Sequence, residues 1–332
     1  MHKYRNRAPG PTEVPERVLL TQARQVLHHR TPQFEAVFGE VREGVKRLLA
    51  TKQEPIFLVS SGTGPMEAAV VNLLSPGDKV IVINAGEFGK RWVEIATAFG
   101  VEVIQLTAPY GETVQPGALT AALIDNSSVK VVFCQHSETS TGVLHDIEAY
   151  AKVTRQTDAL LVVDAVSSIG CADIALDDWG IDVVVGASQK GLMLPPGMGF
   201  ITLSERAWKA TTTSTISKYY FDLTKELAVQ RNNQVRFTPN VSLTVGFYES
   251  LEMFWEEAWP KVVRRHDQLA RATRAGVTAI GLELFAKSHH SPAITSVVVP
   301  LGFDGEVIVR GFAEYGMTIA GGQGPMKGKV FR

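Results

Sequence analysis

The chain has 332 residues, enough for a large apolar core and for more than one domain. Its 33 Lys and Arg nearly balance 34 Asp and Glu with no basic block, which argues against a nucleic-acid partner. Apolar runs such as Val80–Ile83 are too short for a bilayer, and the basic start leads into Ala8-Pro-Gly-Pro11 rather than an apolar signal core. No membrane partner is therefore expected, and the cytoplasm is the default location.

In chain order, an N-terminal arm over residues 1–20 precedes a helix carrying His28 and His29. Strands are then expected at Ile56–Ser60, Lys79–Asn84, Val101–Leu106, Val129–Cys134, Leu160–Asp164, Val183–Gly186 and Gly199–Leu203. Helical stretches lie between them at Pro65–Leu74, Lys90–Phe99, Pro116–Ile124 and Ile147–Thr157. Several of these strands are near-continuously apolar and β-branched, the pattern of strands buried on both faces. The alternation predicts an α/β fold with a mainly parallel seven-stranded sheet in a large domain over 21–245. Polar loops at Thr211–Ser217 and Gln230–Pro239 lead to a long helix, Val241–Leu269, broken or kinked at Pro260. Ile294–Val299, a helix near Glu306–Tyr315, and Met317–Ala320 predict a smaller C-terminal α/β domain over 246–332.

Chemistry concentrates where strands end. Ala159-Leu-Leu-Val-Val-Asp164 ends an apolar run on a carboxylate, and Ile181-Asp-Val-Val-Val-Gly-Ala-Ser-Gln-Lys190 ends another on an amine. Open α/β sheets bind ligands beyond the carboxyl ends of their strands. A lysine and an aspartate delivered there suit pyridoxal 5'-phosphate, with Lys190 as Schiff base and Asp164 beside the pyridinium nitrogen. Either residue alone is more often a surface charge past a strand end; the pair favours the cofactor.

Three further clusters fit that reading. In Ser61-Gly62-Thr63-Gly64-Pro65 a strand runs into a helix whose first-turn amides and dipole could cradle a phosphate. The turn lacks the lysine of a nucleotide P-loop, and alone it could be a simple helix cap. In His136-Ser-Glu138-Thr139-Ser140-Thr141-Gly142, Thr139 could bond the cofactor or cap its turn. In Ala85-Gly-Glu-Phe88-Gly89, Phe88 could stack on a pyridine ring, although an aromatic there is more often core packing.

Other features read as structural. Cys134 and Cys171 resemble small core residues, so a disulfide framework and a cysteine zinc site are unsupported. The pairs His28/His29 and His289/His290 lack acidic or cysteine partners at metal-ligand spacing, and no metal is expected. Trp255 and Trp259 fall four apart on the long helix, as packing against the large domain or a second subunit would require. Asp177-Asp178-Trp-Gly reads as a turn.

The ordered set Ala8-Pro-Gly-Pro11, Arg30-Thr-Pro, Ser61-Gly-Thr-Gly64, His136-Ser-Glu-Thr-Ser-Thr-Gly142, Val163-Asp-Ala-Val-Ser-Ser168, Ala187-Ser-Gln-Lys190 and Pro195-Pro-Gly-Met-Gly199 resembles the class V aminotransferases. The likeness spans essentially the whole chain and is nearest the alanine/serine–glyoxylate branch, with 2-aminoethylphosphonate–pyruvate enzymes nearby. It implies the pyridoxal-phosphate fold type I and a homodimer whose active site is shared between subunits. It also implies that Lys190 forms the Schiff base and acts as general base. Asp164 would keep the ring nitrogen protonated. Ser61, Gly62, Thr63 and Gln189 would hold the phosphate, Thr139 the ring side, and Phe88 a stacking place that is tryptophan in some relatives. Thr238 of Arg236-Phe-Thr-Pro239 would reach the phosphate of the second subunit, while Val235 stands where some relatives carry a tyrosine. Arg332 matches the arginine that clamps the substrate carboxylate, for which a guanidinium fork suits better than lysine.

The implied reaction passes an amino group from a small donor to glyoxylate or pyruvate. The donor stays open among alanine, serine and aminoethylphosphonate. Family members continue for a few tens of residues past that arginine, so the small domain is expected to be incomplete. An inactive cofactor-binding chain and a lyase on the same fold are the alternatives. A cysteine desulfurase needs a mobile cysteine in the later half, and no cysteine follows Cys171.

Overall fold

The computed structural model describes residues 4–332; the first positions of the basic start, Met1 to Lys3, lie outside the described residues. Seven strands form one sheet: β1 Pro55–Leu58, β2 Lys79–Asn84, β3 Glu102–Thr107, β4 Val129–Gln135, β5 Leu160–Asp164, β6 Val183–Ala187 and β7 Gly199–Leu203. They lie in the order β1-β7-β6-β5-β4-β2-β3. Strands β2 to β6 pair in parallel, whereas β7 runs antiparallel to both β6 and β1. The sheet is thus mixed, with the expected parallel centre and one reversed strand.

Alternation along the strands splits the interior into two cores. Ile81, Ile83, Val132 and Leu161 face one, together with Phe34, Phe38, Phe247 and Phe254. Val80, Val82, Val131 and Val162 face the other, with Met66, Val70 and Trp92. Each such fully buried side chain stabilises the fold by roughly 1.5–3 kcal/mol relative to an exposed position. The first core is covered by α1 (Pro32–Leu48), α4 (Pro116–Asp125), α5 (Ile147–Thr154) and α6 (Val241–Glu257). The second is covered by α2 (Thr63–Leu73) and α3 (Glu87–Ala98). Cys134 and Cys171 are free and buried, as core residues.

Several expectations need correction. His28 and His29 sit in a turn, because Thr31 caps α1 by accepting from the Phe34 amide and Pro32 occupies its first turn. The long helix is two. α6 stops at Ala258, whose φ of 71° no continuing helix adopts, and α7 (Trp259–Ala279) starts with Pro260 in its first turn. Trp255 and Trp259 therefore belong to different helices; Arg47 stacks on Trp255 and the Trp259 indole donates to Asp173. Asp177-Asp178-Trp-Gly is one helical turn, Leu176–Trp179, closed by Gly180 at φ 75°.

The C-terminal part is lightly framed. Val297–Val298 pairs antiparallel with Val330–Phe331, and Met317–Thr318 pairs in parallel with Arg5–Asn6 near the N-terminus. Helix α8 (Gly305–Glu314) flanks these pairs. Among the described residues no helix is long and apolar enough to cross a membrane.

Candidate active site

The carboxyl ends of β1, β2, β5 and β6 open onto one cavity of about 230 Å³, and Ser61, Gly62, Thr63, Phe88, Asp164, Gln189 and Lys190 all line it. After β1 the chain turns through Ser61 into α2, whose N-cap Gly62 offers no side-chain cap. The Gly64 amide bonds the Ser61 carbonyl at 3.0 Å, and Pro65 has no N–H to leave unpaired. The Gly62 and Thr63 amides point an uncompensated helix end at the cavity, a ready place for an anion. A Cβ on Gly62 would lie 2.9 Å from Val166 Cγ2, so glycine keeps the turn close to the wall.

Asp164 closes β5, and its Oδ1 accepts from the Val166 amide at 2.8 Å. Burial pushes its carboxyl up to about 6, aided by Glu138; the Val166 amide, Lys190 and Arg91 pull the other way. Lys190 follows β6 by three residues. Burial pushes its amine down to about 8; Asp164 opposes that shift, while Arg332 and Arg91 add to it. Its Nζ donates to the Pro9 carbonyl at 3.0 Å. The segment around Pro9 is clasped onto the lysine loop: the Thr12 amide donates to the Gln189 carbonyl at 3.1 Å and its hydroxyl to the Lys190 carbonyl at 2.8 Å.

A second cavity of about 370 Å³ adjoins the first, and Lys190 and Ser167 line both. Arg332 lines this second space, and it is held rather than loose. Its Nε donates to the Gly321 carbonyl and its Nη1 to the Thr139 carbonyl, each at 2.9 Å, with a longer 3.3 Å bond to Gln323 Oε1. Two more guanidiniums line it, and both are neutralised. Arg7 is paired with Glu13 at 2.8 Å, and Arg265 grips Glu257 through two bonds of 2.6 and 2.8 Å.

Two expected residues lie elsewhere. Thr139 is buried behind the cavity wall, where its hydroxyl bonds Ser167 at 2.6 Å, so its link to the site runs through that serine and through Arg332. Thr238 is exposed on a loop and does not line the lysine cavity of its own chain. Conversely, sequence reasoning passed over Arg91, whose guanidinium stacks on the Phe88 ring at 4.8 Å and donates to Thr63 Oγ1 at 3.4 Å. Its place three residues after Phe88, on one helix face, was the available signal. Gly10 was quoted only within a motif, yet a Cβ there would lie 2.4 Å from Lys190 Nζ. Among the described residues no group of three His, Cys, Asp or Glu side chains is arranged to hold a metal ion.

Comparison with known proteins agrees with this geometry. Residues 9–326 match the family described as aminotransferase class-V. The chain is 38% identical over 332 residues to L-aspartate–glyoxylate aminotransferase of Paracoccus denitrificans, covering 98% of this chain and 84% of that protein. It is 41% identical over 329 residues to a protein of Anabaena cylindrica named soluble hydrogenase 42 kDa subunit, covering 98% and 86%. The crystal structure of alanine–glyoxylate aminotransferase from Nostoc sp. superposes with a TM-score of 0.94 at 29% identity, covering 100% of this chain and 89% of that one. A lysine and an aspartate on one buried rim, on the mixed seven-stranded sheet of fold type I, mark this chain as a member of the class V aminotransferase family.

Proposed function

We propose that the chain binds pyridoxal 5'-phosphate in the 230 Å³ cavity and transfers an amino group from a small neutral amino acid to glyoxylate or pyruvate. The observation that carries this reading is the convergence of Lys190, Asp164 and the open α2 terminus on that one space. The donor set fits the cofactor: cations and free amides at the phosphate end, a carboxylate beyond β5, an aromatic face at Phe88 and an amine at the far wall. Bound there, the cofactor would act as an electron sink for a carbanion at the donor's α-carbon.

The chain's own residues divide the work. Ser61, Gly62, Thr63 and Gln189 hold the phosphate, with Arg91 at the same end. Asp164, ionised above about pH 6, accepts the hydrogen bond of a protonated ring nitrogen. Phe88 packs on the ring. Lys190 would hold the cofactor, and its Nζ would take the donor's α-proton; an amine that burial pushes down to about 8 is partly unprotonated at neutral pH. Arg332 takes the donor carboxylate, for which its long bond to Gln323 is the exchangeable one.

A small neutral donor follows from charge. Arg7 and Arg265 already carry carboxylate partners, whereas among the described residues lining that cavity Arg332 is a guanidinium with only neutral oxygen partners, able to take one carboxylate. Glyoxylate as acceptor is supported by the names of the Paracoccus and Nostoc proteins, both glyoxylate aminotransferases. A homodimer, with Thr238 completing the phosphate site of the second subunit, accounts for the exposed position of that residue and of Tyr219 and Tyr220 nearby. Cytoplasmic location is part of the same reading.

The test is an absorption spectrum of the purified chain with pyridoxal phosphate, then with L-alanine or L-serine, then with glyoxylate. A visible band that vanishes with the amino acid and returns with glyoxylate supports transamination. A band that neither donor moves would sink it.

A further inference from the structure

Glu138 is a fully buried carboxylate for which the reaction described above has no use. It accepts from three backbone amides: Phe88 at 3.1 Å, Gly89 at 3.1 Å and Ser140 at 3.1 Å. The Ser140 hydroxyl donates to it at 2.5 Å, while that same hydroxyl accepts from the Glu87 amide at 3.0 Å. All four partners donate, so the group they surround is acceptor-only and therefore ionised. Burial pushes its carboxyl above the usual carboxylate range; the Ser140 hydroxyl and the three amides pull against that shift without cancelling it.

Two of those amides belong to the first turn of α3, whose N-cap Gly86 supplies no side-chain cap. Glu138 thus caps α3 from the two-residue strand Ser137–Glu138, fifty residues away in sequence, with a negative charge at the positive helix end. Glycine at 86 makes this possible, since a Cβ there would lie 2.4 Å from the Glu138 carboxyl carbon. Helix α3 presents Phe88 and Arg91 to the cofactor cavity. The neighbour of Glu138, Thr139, bonds Ser167 through its hydroxyl and Arg332 through its carbonyl.

The geometry points to Glu138 as a positioning residue: a buried anion that fixes Phe88 and Arg91 against the cofactor by capping α3, and so sets the tilt of the bound ring. This inference rests on the cofactor reading proposed above. A neutral side-chain acceptor or a water could satisfy the same amides, but neither would hold them with charge-assisted bonds aimed at one point.

The experiment titrates pyridoxal phosphate into cofactor-free wild type, Glu138→Gln, Phe88→Ala and the double variant. Visible absorbance gives affinity, visible circular dichroism gives ring orientation, and far-ultraviolet circular dichroism reports the fold. Glutamine keeps the shape but turns an NH₂ toward amide donors. We expect its affinity to fall roughly tenfold to a hundredfold and its visible dichroism to shrink, with the far-ultraviolet spectrum unchanged. The double variant should lose clearly less than the sum of the two single variants, because part of what Glu138 does runs through Phe88 and the remainder through Arg91. A lower melting temperature with wild-type affinity and dichroism would make Glu138 a stability cap only and overturn the inference, as would losses that add in full. If Glu138→Gln does not fold, Glu138→Asp keeps the charge on a shorter arm; it should show a partial loss, and wild-type behaviour there would equally overturn it. A wild type that binds no cofactor would instead overturn the cofactor reading itself.

Discussion

The two halves of the site are built to different standards. The half proposed to hold the cofactor hangs from β5 and β6, buried inside the sheet, and from the α2 terminus beside them. The substrate half is assembled from a two-residue strand at Arg5–Asn6, a Pro/Gly segment, and two-residue strands near Met317 and Val330. Around it Leu301, Phe303 and Tyr315 are exposed. A rigid half can hold strain and buried charge; a light half can yield to a substrate and close on it.

The sharpest way to break this comparison is Lys190→Ala, expected to lower transamination roughly 10⁴-fold with an unchanged far-ultraviolet spectrum. Asp164→Asn probes what the rigid half tolerates. A carboxyl whose pKa is about 6 instead of 3.8 costs about 3 kcal/mol at neutral pH. The variant should therefore melt a few degrees higher without cofactor while losing roughly 10²–10³-fold in kcat. A destabilised Asp164→Asn would show that Asp164 serves the fold instead. On the light side, Arg332→Lys should raise the donor KM roughly tenfold to a hundredfold and leave the cofactor spectrum alone, because lysine lacks the fork. Gly10→Ala, at φ +147° and in the way of Lys190, should cost about tenfold in kcat/KM with little change in melting temperature if the segment can shift aside. Equal losses of stability in Gly10→Ala and Asp164→Asn would erase the distinction.

A further expected effect is on acid stability, and it belongs to the rigid half. Burial pushes His136 and His145 down to about 4, so the unfolded chain binds more protons than the folded one between about pH 6.5 and 4. Their contribution is present above 6.5 and lost as the pH falls through that window. Asp164 has the opposite sign: its charge is relieved as the pH falls through about 6. Melting temperature measured from pH 7 to 4.5 should decline, and more steeply in Asp164→Asn, which lacks that relief.

The rigid half was also the legible one. Strands such as Leu160–Asp164 and Gly199–Leu203 announce themselves because burial on both faces leaves only apolar residues, and what ends them is chemistry. The reversal of β7 was invisible, since an antiparallel strand in a buried sheet carries the same apolar pattern. Helix α1 was missed although Thr31-Pro32 is a helix-start signal, and the break at Ala258 was placed only by the proline beyond it. The family resemblance puts Thr139 at the ring side; in the fold its hydroxyl bonds Ser167, a pairing 28 residues apart that the motif does not encode. Gly10 and Glu138 act through partners far away in sequence, and no local pattern encodes such pairings, whereas Arg91 meets Phe88 within one helix turn.

The clasp at Thr12 has a consequence for how the molecule is made. Residues 5–12 leave the ribosome before nearly everything they touch. Their partners are Gln189 and Lys190, |i−j| of 178 for the Thr12 to Lys190 bond, and then Met317 and Thr318. During synthesis the segment has nothing to pair with, and its Pro/Gly composition suits waiting in water without structure. This chain's own share of the cavity that Lys190 lines is in place once β7 has joined the sheet. The pairing of Arg5–Asn6 with Met317–Thr318 forms only when that much later stretch has been made, so the two cavities take shape at different times.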